Sequence, residues 1–179
     1  MKYLLHNQQT ERLLFRSIQQ SDFNTWVEFF KDPRTSQHWV ETRSTPESQC
    51  SQWYEKQWLR DKEDRGGMNA LLEKSTGLLV GHAGLLVQEV DDQKELEVAY
   101  SLLPQFWNQG YASEAAQKCK NIAFEMGYAS SLISIISLSN LPSQRVAIKN
   151  GMMIDKQTEY RGNPVYIFRV RNPADSKKT

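Results

Sequence analysis

Between Trp107 and Gly151 the chain alternates helix and strand in an order that few folds accommodate. Trp107 to Ala112 reads W-N-Q-G-Y-A, and Pro104 closes the extended segment before it. Ala112, Ala115, Ala116, Cys119, Ile122, Ala123 and Met126 then recur at helical spacing, so Tyr111 to Met126 is predicted as an amphipathic helix. Gly127 ends it. Leu132 to Leu138, rich in Ile and Leu, reads as a buried strand. Asn140 to Gly151, N-L-P-S-Q-R-V-A-I-K-N-G, supplies a short helix opened by Pro142 or Ser143 and stopped at Asn150-Gly151.

The flanking segments agree with a mixed α/β domain. Leu13 to Ile18 is a first strand. Ser21-Asp22 offers an N-cap to a helix carrying Phe23, Trp26, Val27 and Phe30, ended by Asp32-Pro33. Ser44-Thr45-Pro46-Glu47 starts a second helix that carries Cys50, Trp53, Tyr54 and Trp58 to about Arg60, and Asp61 to Gly67 reads as a charged loop. Met68 to Leu72, Leu78 to Val87 and Glu95 to Leu103 form an antiparallel meander, with turns at Lys74 to Gly77 and Asp91-Asp92. Ile154 to Tyr160 and Val165 to Val170 form a last hairpin around Arg161 to Pro164, and the chain from Asn172 to Thr179 is a polar, frayed end. With 179 residues and no internal linker, one domain spanning 1–179 is expected, with its core at about 10–170 and a polar tail at 171–179.

Composition removes several function classes. The net charge is +1, from 22 basic and 21 acidic residues, without the basic excess of a dedicated nucleic-acid binder. No stretch approaches the ~20 apolar residues of a membrane span, and the N-terminus lacks a signal-peptide core. A cytoplasmic protein is the expectation. The two cysteines, Cys50 and Cys119, form no CxxC pair, and His6, His38 and His82 are scattered, so no metal site is legible.

The turn at 107–112 has the chemistry of a phosphate cradle. A helix N-terminus presents unpaired N–H groups and the positive end of the helix dipole. Gly110 permits the tight turn into that helix, and Ala112 leaves room for a ligand. Gln109 adds a possible side-chain donor. Neither G-x-G-x-x-G nor GK[ST] is present, which sets aside the usual dinucleotide and nucleoside-triphosphate motifs. On its own, this turn reads first as a plain entry into a packed helix.

Together the motifs say more. P-Q-F-W-N-Q-G-Y-A-S-E-A, followed after one helix and one strand by N-x-x-S-x-R-V-x-x-K-x-G, resembles the GNAT N-acetyltransferases, and most of all the branch of the ribosomal-protein alanine N-acetyltransferases. Glu97 to Tyr100, E-V-A-Y, matches that branch's E-x-x-Y strand, and L-V-G-H-A-G at Leu79 to Gly84 matches the strand before it. The resemblance runs from about Thr10 to Val170 and is strongest over Glu97 to Met152. Asn108 stands where the family turn has its first glycine; Asn tolerates left-handed backbone better than most residues. Ile148 and Met152 replace a usual glutamate and phenylalanine. Ala147 stands where many members carry a tyrosine acid.

The resemblance implies a single GNAT-like domain with a central, mostly antiparallel sheet of six or seven strands. A parallel pair splays where the carrier binds, and about four helices flank the sheet. It implies acetyl transfer from acetyl-CoA, as cosubstrate, to a primary amine on a protein N-terminus or a small molecule. Glu97 would be the general base; Glu95, on the same face, is the weaker competitor. Ser143 would stabilise the departing thiolate. A main-chain N–H near Ala99 or Tyr100 would receive the oxyanion. Leu102, Trp107, Asn108, Gln109, Gly110, Tyr111, Ala112, Asn140, Arg145 and Lys149 would hold the carrier. His38 and Trp39, in a loop after the first helix, would meet the acceptor. No metal, nucleic acid or membrane is expected, and the oligomeric state is not legible. Two other readings stay open at this stage: a non-catalytic CoA-binding sensor or interaction module, and a protein-interaction role without cofactor.

Overall fold

The computed structural model describes residues 2–39 and 44–174. The elements run β1 (Leu13–Arg16), α1 (Phe23–Lys31), α2 (Pro33–Ser36), α3 (Pro46–Lys62), β2 (Gly66–Glu73), β3 (Leu79–Val90) and β4 (Gln93–Leu102). There follow α4 (Tyr111–Glu125), β5 (Ser131–Ser137), α5 (Leu141–Lys149), β6 (Met153–Tyr160) and β7 (Asn163–Arg171). They form one α/β unit around a seven-stranded sheet of order β1-β2-β3-β4-β5-β7-β6. Every neighbouring pair is antiparallel except β4–β5, which is parallel and in register at the pair Glu97–Ile133.

Local chemistry explains most element ends. Thr45 caps α3 by accepting from Ser48 N at 3.3 Å, with Pro46 in the first turn. The β3–β4 hairpin turns on Asp91 and Asp92, with φ of 49° and 59°. Both central residues of such a two-residue turn must be left-handed, a conformation Asp tolerates. Gly84 lies where β2 passes very close: a Cβ there would meet the Gly67 carbonyl oxygen at 2.0 Å.

Some boundaries differ from the sequence reading. Helix α3 continues to Lys62 and β2 begins at Gly66, so the charged loop shrinks. The helical turn α2 was not anticipated; Asp32 caps it by accepting from Arg34 N at 3.0 Å. The cap of α5 is Asn140, not Pro142 or Ser143: its Oδ1 accepts from Ser143 N at 3.1 Å. The last hairpin turns on Arg161-Gly162 alone, because Pro164 lies inside β7. The polar end at 175–179 lies outside the described residues.

The sheet separates two cores. On one face α4 and α5 cover Val80, Ala83, Leu85, Leu96, Val98 and Leu102 through small side chains, Ala115, Ala116, Cys119 and Ala123. On the other, α1 and α3 bring Trp26, Tyr54 and Cys50 onto Ala70, Leu79 and Leu103, with Phe23, Phe29, Phe30 and Trp53 at the margin. Truncating a fully buried Trp such as Trp26 costs about 3–5 kcal/mol. The β6–β7 hairpin packs Tyr160 against Val90, Ile133, Ile135, Val165 and Ile167.

Candidate active site

The turn between β4 and α4 is fixed before any ligand arrives. Asn108 and Gly110 are both left-handed, with φ of 60° and 85°, and α4 begins at the next residue. Trp107 Nε1 donates to the Leu102 carbonyl at 2.8 Å and pins the turn to the end of β4. Arg12, from β1's leading edge, donates through Nη1 to Gln109 O at 2.9 Å, and its guanidinium carbon lies 4.2 Å from the centre of the Tyr111 ring. The same guanidinium pairs with Glu114 at 2.7 Å. Glu114 also accepts from the Arg12 N–H at 2.9 Å and from the Thr10 hydroxyl. Tyr111 donates to Glu73.

Asn108, Gln109 and Gly110 are exposed, and the first amides of α4, on buried Tyr111 and half-buried Ala112 and Ser113, have no acceptor within the helix. The side chain of Gln109 is occupied: Nε2 donates to Gln105 O at 2.8 Å. Its expected role as a donor therefore falls to the main chain in this arrangement. Leu102 is buried in the α4-side core and offers the turn its carbonyl rather than its side chain.

Past Glu97–Ile133 the strands β4 and β5 diverge. Leu103 N donates to Val80 O at 3.0 Å, and bonded pairs alternate along an antiparallel ladder. The N–H groups of Ala99 and Ser101 therefore point at β3, and those of Val98, Tyr100 and Leu102 point toward β5. Ser134 Oγ donates to Val98 O at 2.8 Å across the start of the gap. Tyr100 N–H is the first amide beyond that bridge, so of the two expected oxyanion donors the register favours Tyr100 over Ala99.

The two faces of the gap differ in chemistry. Leu96, Val98 and Tyr100 point to the α4 side, where Tyr100 Oη lies 2.7 Å from Ser143 Oγ and donates to Ser143 O at 3.1 Å. Burial pushes the Tyr100 phenol up, so it stays a neutral donor. Glu97 points the other way and is 8% exposed. Its Oε2 accepts from Gln88 Nε2 at 2.6 Å and its Oε1 from Ile135 N at 3.4 Å. Burial raises its pKa above the ordinary carboxylate value; the Gln88 and Ile135 bonds oppose that only in part. Glu95 is held by Arg169 at 2.6 Å and is already paired.

The remaining candidates surround this gap. Asn140 spends Oδ1 on capping α5, and Arg145 and Lys149 are exposed along that helix. His38 Nδ1 lies 2.9 Å from Ser139 Oγ, which brings the loop after α2 against the residues leading into α5. Trp39, 42% exposed, is the last described residue before 40–43. Cys119 is fully buried and its thiol is pushed up to about 12, so it is a poor nucleophile. Among the described residues no three His, Cys, Asp or Glu side chains cluster, and no helix is long and apolar enough to cross a membrane.

Residues 12–153 match the acetyltransferase (GNAT) domain family. The chain belongs to the GNAT acetyltransferases. As a GNAT N-acetyltransferase it uses acetyl-CoA as acyl donor, and the open reading of a non-catalytic module does not stand. The chain is 26% identical to YkkB, an uncharacterised protein of Bacillus subtilis, over 84% of this chain and 80% of YkkB. An acetyltransferase structure from Agrobacterium tumefaciens superimposes with a TM-score of 0.79 at 23% identity, covering 96% of this chain and 97% of that one. RimL, the ribosomal L7/L12 α-N-protein acetyltransferase, crystallised with coenzyme A, gives a TM-score of 0.74 at 14% identity over 94% and 99% of the chains. At those identities the two structures speak for the fold.

The GNAT turn and gap suit the donor's chemistry: the free amides of a helix N-terminus beside an exposed turn for the diphosphate, and a strand amide in the gap for the amide-rich arm and its thioester. Two residues, Arg12 and Gln88, and one side-chain role, that of the Tyr100 hydroxyl, escaped the sequence reading. Arg12 and Gln88 carry no motif of their own. Tyr100 belonged to the quoted E-V-A-Y stretch, and strand alternation already set it opposite Glu97. Its contact with Ser143 depends on how α5 seats against β4.

Proposed function

We propose that this GNAT enzyme acetylates a primary amine by direct attack, with Glu97 as general base. The observation that carries this is the position of Glu97: buried, at the last paired residue before β4 and β5 part, and opposite in face to the Tyr100–Ser143 pair. The amine nitrogen attacks the thioester carbonyl carbon. A C–N bond forms, the carbonyl electrons move to oxygen, and the Tyr100 N–H stabilises them. Collapse breaks the C–S bond, and the sulfur leaves as thiolate. Tyr100 then donates to Ser143 Oγ, which frees the Ser143 hydroxyl proton to donate a hydrogen bond to that sulfur. Glu97 takes the amine's surplus proton; its raised pKa makes it a better base than an exposed glutamate.

Asn108 to Ala112, Asn140, Arg145 and Lys149 are proposed to hold the carrier, and His38 and Trp39 to flank the acceptor's entry. The motifs shared with the ribosomal-protein branch support an α-amine, on a protein N-terminus or a small molecule. Dependence on acetyl-CoA supports action in the cytoplasm.

Glu97→Gln tests the reading. Turnover should fall about 10²–10⁴-fold, the usual worth of a positioned base, while calorimetry shows acetyl-CoA binding unchanged. Turnover within twofold of the parent would remove Glu97 from the role. A parent profile of kcat/KM against pH should show an acidic limb above 4.5, the ordinary glutamate value, since burial raises this carboxyl. The limb should vanish in Glu97→Gln.

A further inference from the structure

On the Glu97 side of the sheet, α3, the end of β3 and the β6–β7 turn enclose a cleft of about 430 Å³. It is one hydrogen bond from the proposed base. Gln88 lines the cleft and donates to Glu97, and Tyr160 Oη, also in the lining, donates to Gln88 Oε1 at 3.2 Å. Arg60 lines it while being only 2% exposed. Its Nη2 donates to Val87 O at 2.6 Å and Arg65 O at 3.3 Å, and its buried Nε has no partner. Among the described residues no carboxylate lies within ion-pair distance of Arg60, Lys56, Lys94 or Arg161, all of which line the cleft.

The lining also carries Arg65, Glu89, Asp91 and Glu159. Arg65 is taken by Glu63 at 2.9 Å and Asp91 by Lys156 at 2.6 Å. Glu89 and Glu159 remain against four unpaired cations. Protein atoms packed around its ammonium lower the pKa of Lys56, although the residue still reaches solvent, and the charges of Arg161, Arg60 and Arg65 lower it further against the pull of Glu97. A buried guanidinium without an ion-paired carboxylate is costly to maintain in a fold, and a ligand carboxylate is a natural partner for it.

We propose that the acceptor is an anionic amine, a primary amine with a carboxylate nearby, whose carboxylate is held by Arg60, Lys56 and Arg161 while its nitrogen faces Glu97. This rests on the reading of Glu97 as base. It favours amino acids and acidic N-terminal peptides, and it opposes polyamines, whose charge the same cations repel.

The test is thiol release from acetyl-CoA by the full chain with matched acceptors. Glycine and alanine represent free amino acids, with glycinamide and alaninamide as their neutral references. Tripeptide amides beginning Asp or Glu represent acidic N-termini, and their Asn and Gln counterparts are the neutral references. Spermidine is the cationic arm. The expected result is a kcat/KM at least 20-fold higher for one anionic set than for its neutral reference, with spermidine poorest; which set leads names the source.

Lys56→Gln and Arg161→Asn should each cut the anionic-to-neutral ratio about fivefold or more. Both positions are exposed, and Asn suits the left-handed backbone of residue 161 (φ 52°). Lys62→Gln, in the last turn of α3, should keep the ratio. Neutral or cationic amines matching the anionic ones, no anionic turnover, or an unchanged ratio in both cleft variants would overturn the proposal. Retained turnover of anionic amines in Glu97→Gln would instead remove the base and leave charge selection standing.

Discussion

The two faces of the sheet are built to different standards. On the α4 side the core is mostly aliphatic, with Phe15, Tyr111 and Phe168 among it, and the polar groups around the proposed carrier turn are mutually bonded through Arg12, Glu114, Thr10, Tyr111 and Glu73. On the α1–α3 side the core is aromatic. Among the described residues, five of the six buried side-chain polar atoms without a partner lie there: Trp26 Nε1, Tyr54 Oη, Arg60 Nε and both ring nitrogens of His82; the sixth is Asn150 Oδ1. A native fold pairs nearly all such atoms, so their concentration on one face has meaning. The face proposed for the constant substrate is internally satisfied apart from Asn150 Oδ1. The face proposed for the variable substrate stores unmet polar capacity, which leaves stability to be gained there by substitution or by a ligand.

His82 gives the largest expected break in that contrast. It is fully buried between Trp26 and Trp53, with ring centres 4.2 and 4.6 Å away, and burial pushes it down to about 3 from 6.5. The folded chain keeps the ring neutral while the unfolded chain takes up a proton below 6.5. The unfolded state therefore binds more protons between 6.5 and about 3, and the native state loses stability as pH falls through that window, by up to roughly 1.4 kcal/mol per pH unit. His82→Leu should abolish this part of the slope and raise stability at pH 7 by about 1–3 kcal/mol, because two unpaired nitrogens leave the core. Urea unfolding at pH 7, 5.5 and 4.5 measures both. Parallel loss in parent and variant would assign the acid sensitivity elsewhere.

The same contrast governs what could be read from the sequence. The backbone of the turn at 107–112 was legible because its chemistry is local: Gly110 and Asn108 sit within one turn of the helix they precede, and their left-handed backbone is a property of those residue types. Strand alternation likewise set Glu97 apart from Leu96 and Val98. The rest needed register between distant segments. Arg12 reaches Glu114, Tyr100 reaches Ser143, and Gln88 joins Glu97 to Tyr160, none of them at a spacing that marks a motif. His82 looked like a scattered histidine, and only the sheet places it between two tryptophans. Helix α2 was missed because Asp32-Pro33 reads first as a helix end, although Asp also caps the next turn.

Arg12→Met probes the satisfied face and should have a middling effect. The carboxyl of Glu114 sits below its usual value: burial pushes it up, but bonds from Thr10 and Arg12 outweigh that. Removing the guanidinium strips the Gln109 carbonyl and Glu114 of a shared donor and leaves the turn less preorganised. The KM for acetyl-CoA should rise about tenfold, equivalent to about 1.4 kcal/mol, with kcat unchanged, the pattern of lost ground-state binding. A fall in kcat at constant KM would mean that Arg12 acts on the gap and not on the turn.

Tyr100→Phe is the finest test, because it changes one hydroxyl on the satisfied face. The ring stays, so packing against the α4-side core is kept, and Ser143 Oγ loses its partner at 2.7 Å. If Ser143 meets the departing sulfur with a hydroxyl held by Tyr100, the loss is one neutral hydrogen bond, about 0.5–1.5 kcal/mol, and kcat should fall roughly 3- to 10-fold. Acetyl-CoA affinity, set at the turn, should change less than about twofold over the same substitution. The double variant with Ser143→Ala separates two cases. If the two hydroxyls act as one unit, adding Tyr100→Phe to Ser143→Ala costs nothing more; if the costs add, the Tyr100 hydroxyl acts independently of the Ser143 hydroxyl, through its bond to the Ser143 carbonyl.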